Sequence, residues 1–508
     1  MNNGKICVSV CAETADEMIT NIKRAEEFAD VIEVRFDCLS DDAIKGLLVA
    51  LPQIEKTYLF TFRPKVQGGK RELTVAGRLK FWEFLVHERI SGFMIDLEFD
   101  PKILLAVRPT NIERIVSLHE FEPGHDLDPI WEAISAVSDN TVKIAISTSD
   151  ITDSISVWKL LEQAKAAGRQ LVPIAMGEAG KWTRILGLAH GAFMTYASLD
   201  GGRETADGQI TAKDLVETFR VKELDQDTKV FGIVGDPVSS SLSPYMQNPA
   251  FVAGGVNAVF IPLLVKDLDE FIRRMVRNQT REVELNFGGF SVTMPHKQAI
   301  MKHLDEIDPV AAKIGAVNTV KIAEGKLIGH NTDAHGFITP LKQKFGDLKG
   351  VRVAVAGAGG GARACVYALR EGGADVTVYA RDHAKASVLA KQFGISADRI
   401  SNLKDQISKA GTFDILVNAT PLGMRGQETE ATIATAAQLD GIKLVYDLVY
   451  NPTETQLLRE AKKAGVATLG GIEMLVTQGA RQFEIWTGRE APIDLMRTSV
   501  LDRINNGR

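Results

Sequence analysis

The sequence contains little cysteine, only four residues among 508, at Cys7, Cys11, Cys38 and Cys365. None of them forms a Cys-x-x-Cys pair, and the nine histidines do not cluster with them. We therefore expect no structural zinc site, no other bound metal and no disulfide framework. Sparse, unpatterned cysteine is typical of proteins from a reducing compartment.

The sequence also lacks an excess of positive charge and any long apolar run. The net charge of −6 argues against nucleic-acid binding, which usually brings a basic excess. No stretch is long and apolar enough to span a bilayer, and the apolar run 6–11 is too short for the core of a signal peptide. The sequence thus predicts a cytoplasmic protein that acts on small molecules, without nucleic acid or membrane as partners, and it leaves the oligomeric state open.

The first 221 residues alternate regularly between β-rich runs and amphipathic segments. Strands that alternate with helices predict a parallel sheet, and eight such units are typical of a (β/α)8 barrel. We expect this barrel over residues 1–221, followed by a short polar linker over 222–229. The eight runs are 5–11, 31–36, 57–62, 93–98, 113–118, 141–146, 170–175 and 191–196.

Ionisable side chains lie late in, or just beyond, several of these runs. Because a barrel enzyme builds its active site at the carboxyl ends of its strands, we expect these groups to meet at one mouth. A single pair, such as Asp96 with an arginine, is as easily a structural ion pair, but the convergence of the whole set favours a site. The residues are Glu33, Arg35, Arg63, Asp96, Glu98, His119 and Lys143.

Lys143 lies among the apolar neighbours 142 and 144–146. A lysine that points from such a strand into the barrel is desolvated, which lowers the pKa of its amine. A neutral amine can attack a ketone and form a Schiff base, and His119 on the preceding strand could then remove a proton from the adjacent carbon. The alternative is a lysine whose amine reaches solvent from an edge.

The order of the motifs in this half resembles that of type I 3-dehydroquinate dehydratases. Two positions depart from the pattern common in that family: Gln67, where glutamate is frequent, and Asp207, where the loop often carries proline. The motifs are Glu33-x-Arg35-x-Asp37, Thr61-Phe62-Arg63, Asp96-x-Glu98, Ser117-Leu118-His119, Val142-Lys143-Ile144-Ala145 and Met176-Gly177-x-x-Gly180.

This resemblance implies the loss of water from 3-dehydroquinate to give 3-dehydroshikimate. It implies that Lys143 is the Schiff-base lysine and that His119 is the general acid and base. The residues implied to hold the substrate's carboxylate and hydroxyls are Glu33, Arg35, Arg63 and Arg184, with Thr205 and Gln209 on a loop that closes over it.

A dinucleotide-binding pattern lies in the second half. The apolar run 351–356 leads into Gly357-Ala-Gly359-Gly360-Gly361-Ala362, and a helical stretch follows. This order is typical of a doubly wound Rossmann domain that holds a pyrophosphate at a helix N-terminus. Arg381 follows the next run, where an NAD enzyme usually carries an acidic residue, so we predict NADP(H). The neighbouring Asp382 weakens this distinction, and a plain surface arginine is the alternative.

Clusters of hydroxyl and amide side chains occur on both sides of this pattern. Taken singly they are ordinary turn formers, but together they suit a polyhydroxylated ring. They resemble the blocks of shikimate dehydrogenases from residue 230 to the C-terminus. The clusters are Ser241-Leu-Ser243, Thr293-Met-Pro-His-Lys297, Asn318-Thr319, Asn331-Thr332-Asp333, Asn418-Ala-Thr420, Asp447-Leu-Val-Tyr450 and Gly471-Ile-Glu-Met474-Leu-Val-Thr-Gln478.

This second resemblance implies reduction of 3-dehydroshikimate to shikimate by NADPH, with Lys297 and Asp333 as the catalytic pair. It implies a substrate domain over 230–334, completed by the C-terminal segment 474–508, and a nucleotide domain over 335–473. The implied substrate ligands are Ser241, Ser243, Thr293, Asn318, Tyr450 and Gln478. The implied cofactor contacts are Gly357, Gly359, Gly360, Gly361, Ala362, Arg381, Asn418, Thr420, Met424, Gly471 and Met474.

Two alternatives to consecutive catalysis remain open on the sequence. The second half could be a quinate dehydrogenase or a mixed quinate and shikimate dehydrogenase, although Ser243 favours shikimate because a smaller residue would make room for quinate's extra hydroxyl. The chain could also be a binding or regulatory protein that keeps the folds without the chemistry. The presence of Lys143, His119, Lys297 and Asp333 argues against that.

Overall fold

A computed structural model describes residues 2, 4–51, 53–87, 93–107, 112–122, 126–137, 141–409, 411–426 and 429–506. The chain divides into two compact units, one of residues 1–230 with 257–286 and one of residues 231–256 with 287–508. Both have the α/β architecture predicted from the sequence. The last two residues of the predicted C-terminal segment 474–508 lie outside the described residues.

The first unit is built on a parallel sheet whose order is β7-β6-β5-β4-β3-β2-β1-β8-β9. Cys7 on β1 stands opposite Val31 on β2 and Tyr196 on β8. β8 also meets β7, where the Phe193 amide donates to the Leu171 carbonyl over 2.9 Å, so the strands enclose a barrel interior. The strands are β1 (Lys5–Val10), β2 (Val31–Arg35), β3 (Thr57–Thr61), β4 (Phe93–Glu98), β5 (Glu113–Glu120), β6 (Thr141–Ser147), β7 (Leu171–Met176), β8 (Met194–Ser198) and β9 (Ile210–Thr211).

An α-helix follows each of the first seven strands, and the local sequence fixes where several of these helices begin. The Thr14 hydroxyl accepts a hydrogen bond from the Glu17 amide at the start of α1, and Asp100 with Pro101 begins α4 in the same way. The helices are α1 (Ala15–Ala25), α2 (Asp41–Ala50), α3 (Val75–His87), α4 (Pro101–Ala106), α5 (Asp128–Val137), α6 (Ile155–Ala166) and α7 (Lys181–Leu186). The segment 257–286 that groups with this unit contains β11 (Ala258–Leu264) and α9 (Leu268–Phe271).

The second unit contains a mixed sheet in the order β10-β12-β14-β15-β13. Ser291 on β12 pairs with Thr319 on β14, which in turn pairs with His330 on β15, so the polar segments that adjoin these residues lie at one edge of the sheet. The strands are β10 (Lys229–Gly235), β12 (Phe287–Val292), β13 (Glu306–Ile307), β14 (Thr319–Ala323) and β15 (Lys326–His330). The associated helices are α8 (Ser243–Ala253), α10 (Pro309–Ile314) and α11 (Asp333–Phe345).

A second, parallel sheet of this unit has the order β18-β17-β16-β19-β20-β21. Two apolar clusters cover it, one around Val353, Val355 and Leu369 and one around Leu416 and Val445. The strands are β16 (Arg352–Ala356), β17 (Asp375–Ala380), β18 (Ser396–Arg399), β19 (Ile415–Asn418), β20 (Leu444–Asp447) and β21 (Ala467–Leu469). The helices are α12 (Gly360–Glu371), α13 (His383–Phe393), α14 (Ile400–Ile407), α15 (Gln456–Lys463), α16 (Gly471–Thr487) and α17 (Ile493–Asn506).

Two glycines allow the close approaches that shape this unit. Gly357, directly after β16, has a φ of 116°, and a Cβ atom there would come within 2.7 Å of the Ala419 carbonyl oxygen. Gly336 on α11 lies against Gln478 on α16, whose Cβ would be 2.5 Å from a Cβ added at the glycine. The strand β16 therefore turns sharply toward α12, and α16 packs directly on α11.

The structure corrects one sequence prediction, because Cys11 and Cys38 form a disulfide. Cys11 follows the end of β1 and Cys38 follows the end of β2, and these strands are parallel neighbours, so residues 27 positions apart meet with their Cα atoms 5.6 Å apart. Cys7 and Cys365 are buried and unpaired. The inference of a reducing compartment from cysteine usage loses its support here. Among the residues described, no helix has the length and apolar character that crossing a membrane requires.

Candidate active sites

A cavity of about 210 Å³ opens inside the barrel. All eight residues that the resemblance implies for catalysis or substrate binding in this half line it, whereas Asp96 and Glu98 do not. They come from β2, β5, β6, α7 and the segments that follow β3 and β8, which agrees with a site at the carboxyl ends of the strands. The eight are Glu33, Arg35, Arg63, His119, Lys143, Arg184, Thr205 and Gln209.

Three charged side chains form the base of this cavity. The Lys143 amine lies 3.2 Å from the Asp96 carboxylate, and the Arg63 guanidinium lies 2.6 Å from the same group. The Ser117 hydroxyl donates to the other carboxylate oxygen over 2.5 Å. All three charged groups are at least 94% buried, and one carboxylate is shared by two cations.

This burial changes the protonation of the lysine. Burial and the positive charge of Arg63 lower the pKa of Lys143, while Asp96 and Glu33 oppose that shift. Burial by itself disfavours the Asp96 carboxylate, but Arg63 and Lys143 together hold the pKa of Asp96 well below its usual range. The cluster therefore keeps Asp96 ionised and makes the neutral amine of Lys143 more accessible.

His119 enters the cavity from β5 as a neutral imidazole. Burial, with the charges of Arg63 and Lys143, lowers the pKa of His119 well below 6.5. Its Nδ1 has no hydrogen-bond partner among the described residues. The Gln67 side-chain carbonyl accepts a hydrogen bond from the His119 backbone amide over 3.0 Å, and its amide group donates to the His119 carbonyl over 3.5 Å. Gln67 thus fixes the backbone that carries the imidazole.

Glu33 and Arg35 on β2 are held by different neighbours. The Ser9 and Thr61 hydroxyls donate to Glu33, the second over 2.8 Å. Arg35 donates through Nε and Nη2 to the fully buried Asp37, over 2.9 and 2.7 Å. Its Nη1 is not part of that pair and is the atom that a ligand can use.

The segment after β8 lies folded over the cavity. The Thr205 amide donates to the Gln209 side-chain carbonyl over 2.8 Å, and the Thr205 hydroxyl donates to Ser9 over 2.9 Å. Gly208 lies against Gly177 so closely that a Cβ atom there would come within 2.1 Å of the Gly177 carbonyl oxygen. This packing fixes the segment where Thr205, Asp207 and Gln209 line the cavity.

Arg184 is the least compensated cation of this site. Its guanidinium donates only to the Tyr196 and Asp207 backbone carbonyls, each over 3.4 Å, and its Nε has no partner among the described residues. Burial lowers the pKa of Arg184 to about 10. A buried arginine without a carboxylate partner is suited to bind an anionic group of a ligand.

Of the ionisable groups expected at the mouth, Asp96 meets Arg63 and Lys143, whereas Glu98 pairs with Arg78 and does not line the cavity. The sequence analysis did not place Gln67 or Tyr196 among the site residues. The positions of Asp96 and Tyr196 in their strands could have indicated that they belong to one layer, because a barrel layer takes its four side chains from alternate strands. Glu33, Asp96, Lys143 and Tyr196 come from β2, β4, β6 and β8. Gln67 lies outside the strands, so strand periodicity gave no indication of its contact with His119.

The second unit contains a cavity of about 320 Å³ and an adjoining one of about 910 Å³. The smaller cavity is lined by every residue predicted to bind the second substrate, together with Lys297 and Asp333. Ser291 and Gln482, which were not predicted, line it too; the Ser291 hydroxyl donates to the Gln482 side chain over 2.8 Å. The predicted residues are Ser241, Ser243, Thr293, Lys297, Asn318, Asp333, Tyr450 and Gln478.

Lys297 and Asp333 form an ion pair in which the amine lies 2.5 Å from the carboxylate. The Asn318 amide donates to the other Asp333 oxygen over 2.8 Å and to the Thr332 hydroxyl over 2.9 Å. Asn318 and Thr332 also contact the Gln478 side-chain carbonyl at 3.4 Å. Asp333 is therefore oriented by a buried amide network, while Lys297 reaches the cavity.

The larger cavity has the features that a dinucleotide requires. It runs along the N-terminus of α12, where Gly359 provides no side-chain cap, and a Cβ atom at Gly359 or Gly361 would meet open space. Free backbone amides at a helix start suit a pyrophosphate. Arg381 and Lys385 line the same cavity and suit a ribose phosphate, and Asp382 lies beside them.

Most of the predicted cofactor residues line one of these two cavities. They are Gly357, Gly359, Gly360, Gly361, Arg381, Thr420, Met424, Gly471 and Met474. Ala362 is fully buried and Asn418 turns inward, donating to Asp447 over 2.9 Å and to the Leu422 carbonyl over 3.2 Å, so neither lines a cavity. Burial raises the pKa of Asp447 to about 6.

In the part of the chain described, no group of His, Cys, Asp or Glu is placed to hold a metal ion.

The Asp96→Asn substitution tests the buried cluster. It removes the one anion between Arg63 and Lys143, and we expect the free energy of unfolding to fall by about 3–5 kcal/mol. The control is Asp200→Asn, which breaks the exposed pair with Arg24 and should cost no more than about 1 kcal/mol. Urea unfolding of both variants checks this, and equal losses of unfolding free energy would contradict a buried ion cluster.

Protonation of His119 predicts a pH dependence of stability. Since its pKa is lower in the folded chain than the ordinary 6.5, the folded state binds fewer protons below that pH, and stability falls as pH falls. The slope attributable to His119 is at most about 1.4 kcal/mol per pH unit. Urea unfolding between about pH 5 and pH 7, a range that spans the ordinary pKa, should show a steeper loss of stability toward low pH for the native chain than for His119→Gln. Parallel curves would show that His119 is solvated.

Comparison with protein families gives four matches along the chain. Residues 6–226 match type I 3-dehydroquinase. Residues 233–320 match the shikimate dehydrogenase substrate binding domain, and residues 340–435 match shikimate/quinate 5-dehydrogenase. Residues 471–501 match the shikimate 5'-dehydrogenase C-terminal domain.

Individual relatives agree with these matches. The bifunctional 3-dehydroquinate dehydratase/shikimate dehydrogenase, chloroplastic, of Arabidopsis thaliana is 34% identical over 97% of this chain and 84% of its own length. The NADP(+) shikimate dehydrogenase of Methanopyrus kandleri is 42% identical over 55% of this chain and 98% of its own. A crystal structure of a shikimate dehydrogenase in complex with NADP+ covers 55% of this chain and 97% of its own, with 39% identity and a TM-score of 0.50. The resemblance inferred from the motifs is thereby confirmed, and the chain belongs to the family of bifunctional 3-dehydroquinate dehydratase/shikimate dehydrogenases.

Proposed function

We propose that this chain catalyses two consecutive reactions, dehydration of 3-dehydroquinate in the barrel and NADPH-dependent reduction of 3-dehydroshikimate to shikimate in the second unit. One observation carries the proposal: each unit has a cavity in which a lysine amine lies beside an aspartate, at 3.2 Å for Lys143 and 2.5 Å for Lys297. Family membership supports the same pair of activities in aromatic amino-acid biosynthesis.

In the barrel, Lys143 is the nucleophile. Its neutral amine attacks the substrate ketone, water leaves, and the resulting iminium draws electrons from the adjacent C–H bond. His119 removes that proton, and the electron pair passes into an enamine. The same imidazole returns the proton to the departing hydroxyl, which leaves as water. Hydrolysis of the remaining imine consumes one water and releases 3-dehydroshikimate, so the net change is the loss of one water molecule.

The cations and hydroxyls around Lys143 orient the substrate. Arg184, which has no carboxylate partner, is our choice for the substrate carboxylate. Arg63 is already engaged by Asp96, and Arg35 by Asp37, so they contribute mainly charge and their remaining N–H groups. Glu33, Thr205 and Gln209 are suited to the hydroxyls of the ring.

In the second unit, Lys297 and Asp333 handle the proton. Lys297 donates a proton to the ketone oxygen as it becomes a hydroxyl, and Asp333 holds the amine in place. NADPH, when bound, supplies the hydride. Ser241, Ser243, Thr293, Asn318, Tyr450 and Gln478 are the proposed substrate ligands.

NADPH is the proposed cofactor because two cations, Arg381 and Lys385, line the cavity that adjoins α12. The glycines 357, 359, 360 and 361 would admit the pyrophosphate. Thr420 lines both cavities, and Met424, Gly471 and Met474 line the smaller one. Asn418 and Ala362 would act by shaping the site.

We propose the domain ranges inferred from the sequence, with a barrel over 1–221, a substrate domain over 230–334 plus 474–508, and a nucleotide domain over 335–473. The cytoplasmic location stays a prediction. The relative from Arabidopsis thaliana carries the word chloroplastic in its name. No bound metal is required by either proposed reaction.

A coupled assay tests both activities in one experiment. When purified protein is mixed with 3-dehydroquinate, the ultraviolet absorbance of the conjugated enone should rise. When NADPH is then added, the enone absorbance should fall in step with the oxidation of NADPH. Lys143→Ala should abolish the first phase and keep the second when 3-dehydroshikimate is supplied. Lys297→Ala should keep the first phase and lower the second by about 10²-fold or more.

The outcomes separate the alternatives. If the enone forms and NADPH does not consume it, but the protein oxidises quinate, the second unit is a quinate dehydrogenase. A preference for NADH would contradict the role of Arg381 and Lys385. No reaction at either site would favour a binding protein that keeps the folds without chemistry.

A further inference from the structure

Tyr196 on β8 has a role in the barrel that neither the motifs nor the proposed mechanism assigns. Its side chain lines the cavity and is 97% buried. The ring face covers the Lys143 amine, with Nζ 4.0 Å from the ring centroid. At this distance the electron-rich face of a tyrosine ring attracts a cation, and the attraction is strongest where water is excluded.

The tyrosine hydroxyl does not explain the presence of this residue. It is buried and has no hydrogen-bond partner among the described residues. An unsatisfied buried hydroxyl destabilises a fold, and a phenylalanine would fill nearly the same space without it. The contact between the ring and the Lys143 amine is therefore the interaction of this side chain that the geometry shows.

The other groups that face the Lys143 amine do not duplicate that contact. Asp96 is shared with Arg63, and Glu33 accepts from Ser9 and Thr61. The Arg63 cation and the neutral His119 ring also face the amine. The buried thiol of Cys7 belongs to the same apolar cluster of the barrel as Tyr196. Tyr196 is therefore a neutral group that stabilises positive charge on Nζ without forming a second ion pair.

We propose that Tyr196 is a positioning residue for Lys143. The tyrosine ring positions the lysine nitrogen and stabilises its positive charge, first in the ammonium and then in the protonated iminium. This rests on the proposed dehydratase function. A carboxylate at that position would pair with the ammonium and keep it from becoming the nucleophile. A ring face stabilises the cation more weakly, so the free amine remains accessible and the iminium is still favoured.

The test compares Tyr196→Leu with Tyr196→Phe in the full chain. Tyr196→Leu removes the ring, and we expect dehydratase kcat to fall about tenfold and the alkaline limb of its pH profile to move about one pH unit lower, because the iminium loses its proton more easily. KM should change much less. Tyr196→Phe keeps the ring and should rescue both kcat and the position of the alkaline limb.

Met194→Ala is the matched control for packing. Met194 lies two residues earlier on β8, is buried in the same cluster, and does not line the cavity. Its loss should lower the unfolding midpoint without moving the alkaline limb. Reduction of 3-dehydroshikimate by the second unit of each variant reports that the chain is folded.

Two results would overturn the proposal for Tyr196 alone, and a third would overturn the dehydratase function on which it rests. An unshifted pH profile and unchanged kcat in Tyr196→Leu would show that the ring does not act on Lys143. A Tyr196→Phe variant as impaired as Tyr196→Leu would assign the role to the hydroxyl instead. A native chain that forms no enone would overturn the dehydratase function, and this role with it.

Discussion

Three buried charges, on Arg63, Asp96 and Lys143, impose the constraint on which the barrel site depends. Two buried cations share one carboxylate, and burial together with the Arg63 guanidinium favours the uncharged amine of Lys143, against the opposing charges of Asp96 and Glu33. Loss of the Lys143 proton is the change that a Schiff-base mechanism requires. Burial, with the charges of Arg63 and Lys143, also lowers the pKa of His119 and so favours the imidazole form that can accept a proton. One arrangement of charge thus prepares both the nucleophile and the base.

The second unit uses a lysine and an aspartate in a different setting. Lys297 and Asp333 form an ion pair, and the Asn318 amide, which also donates to Thr332, donates to the Asp333 oxygen on the other side. Such a pair suits a lysine that donates a proton to a ketone oxygen, as the proposed reduction needs. The contrast between the two lysines follows from their neighbours. Lys143 lies beside a buried guanidinium and under an aromatic ring, whereas Lys297 lies at the junction of two open cavities.

The alternation of strands and helices was readable from the sequence, and so was the convergence of polar residues at strand ends, because periodicity and strand polarity determine which side chains share an edge. The predictions for Lys143, His119, Lys297 and Asp333 rested on that rule and on family motifs, and the structure brings these residues to cavities. Contacts that depend on three-dimensional register were not readable. Gln67 reaches His119 from a loop, Cys11 meets Cys38 across neighbouring strand ends, and Asn418 turns away from the cofactor cavity. Spacing along the chain indicates none of these three.

The central claim is that the buried cluster makes Lys143 the amine that bonds to substrate, and reductive trapping tests it most directly. The protein is incubated with 3-dehydroquinate and sodium borohydride, and intact-mass and peptide measurements then locate any stable adduct. We predict one adduct per chain, on the peptide that contains Lys143, and none in Lys143→Ala. An adduct on another lysine, or no adduct from a chain that still forms the enone, would contradict the account.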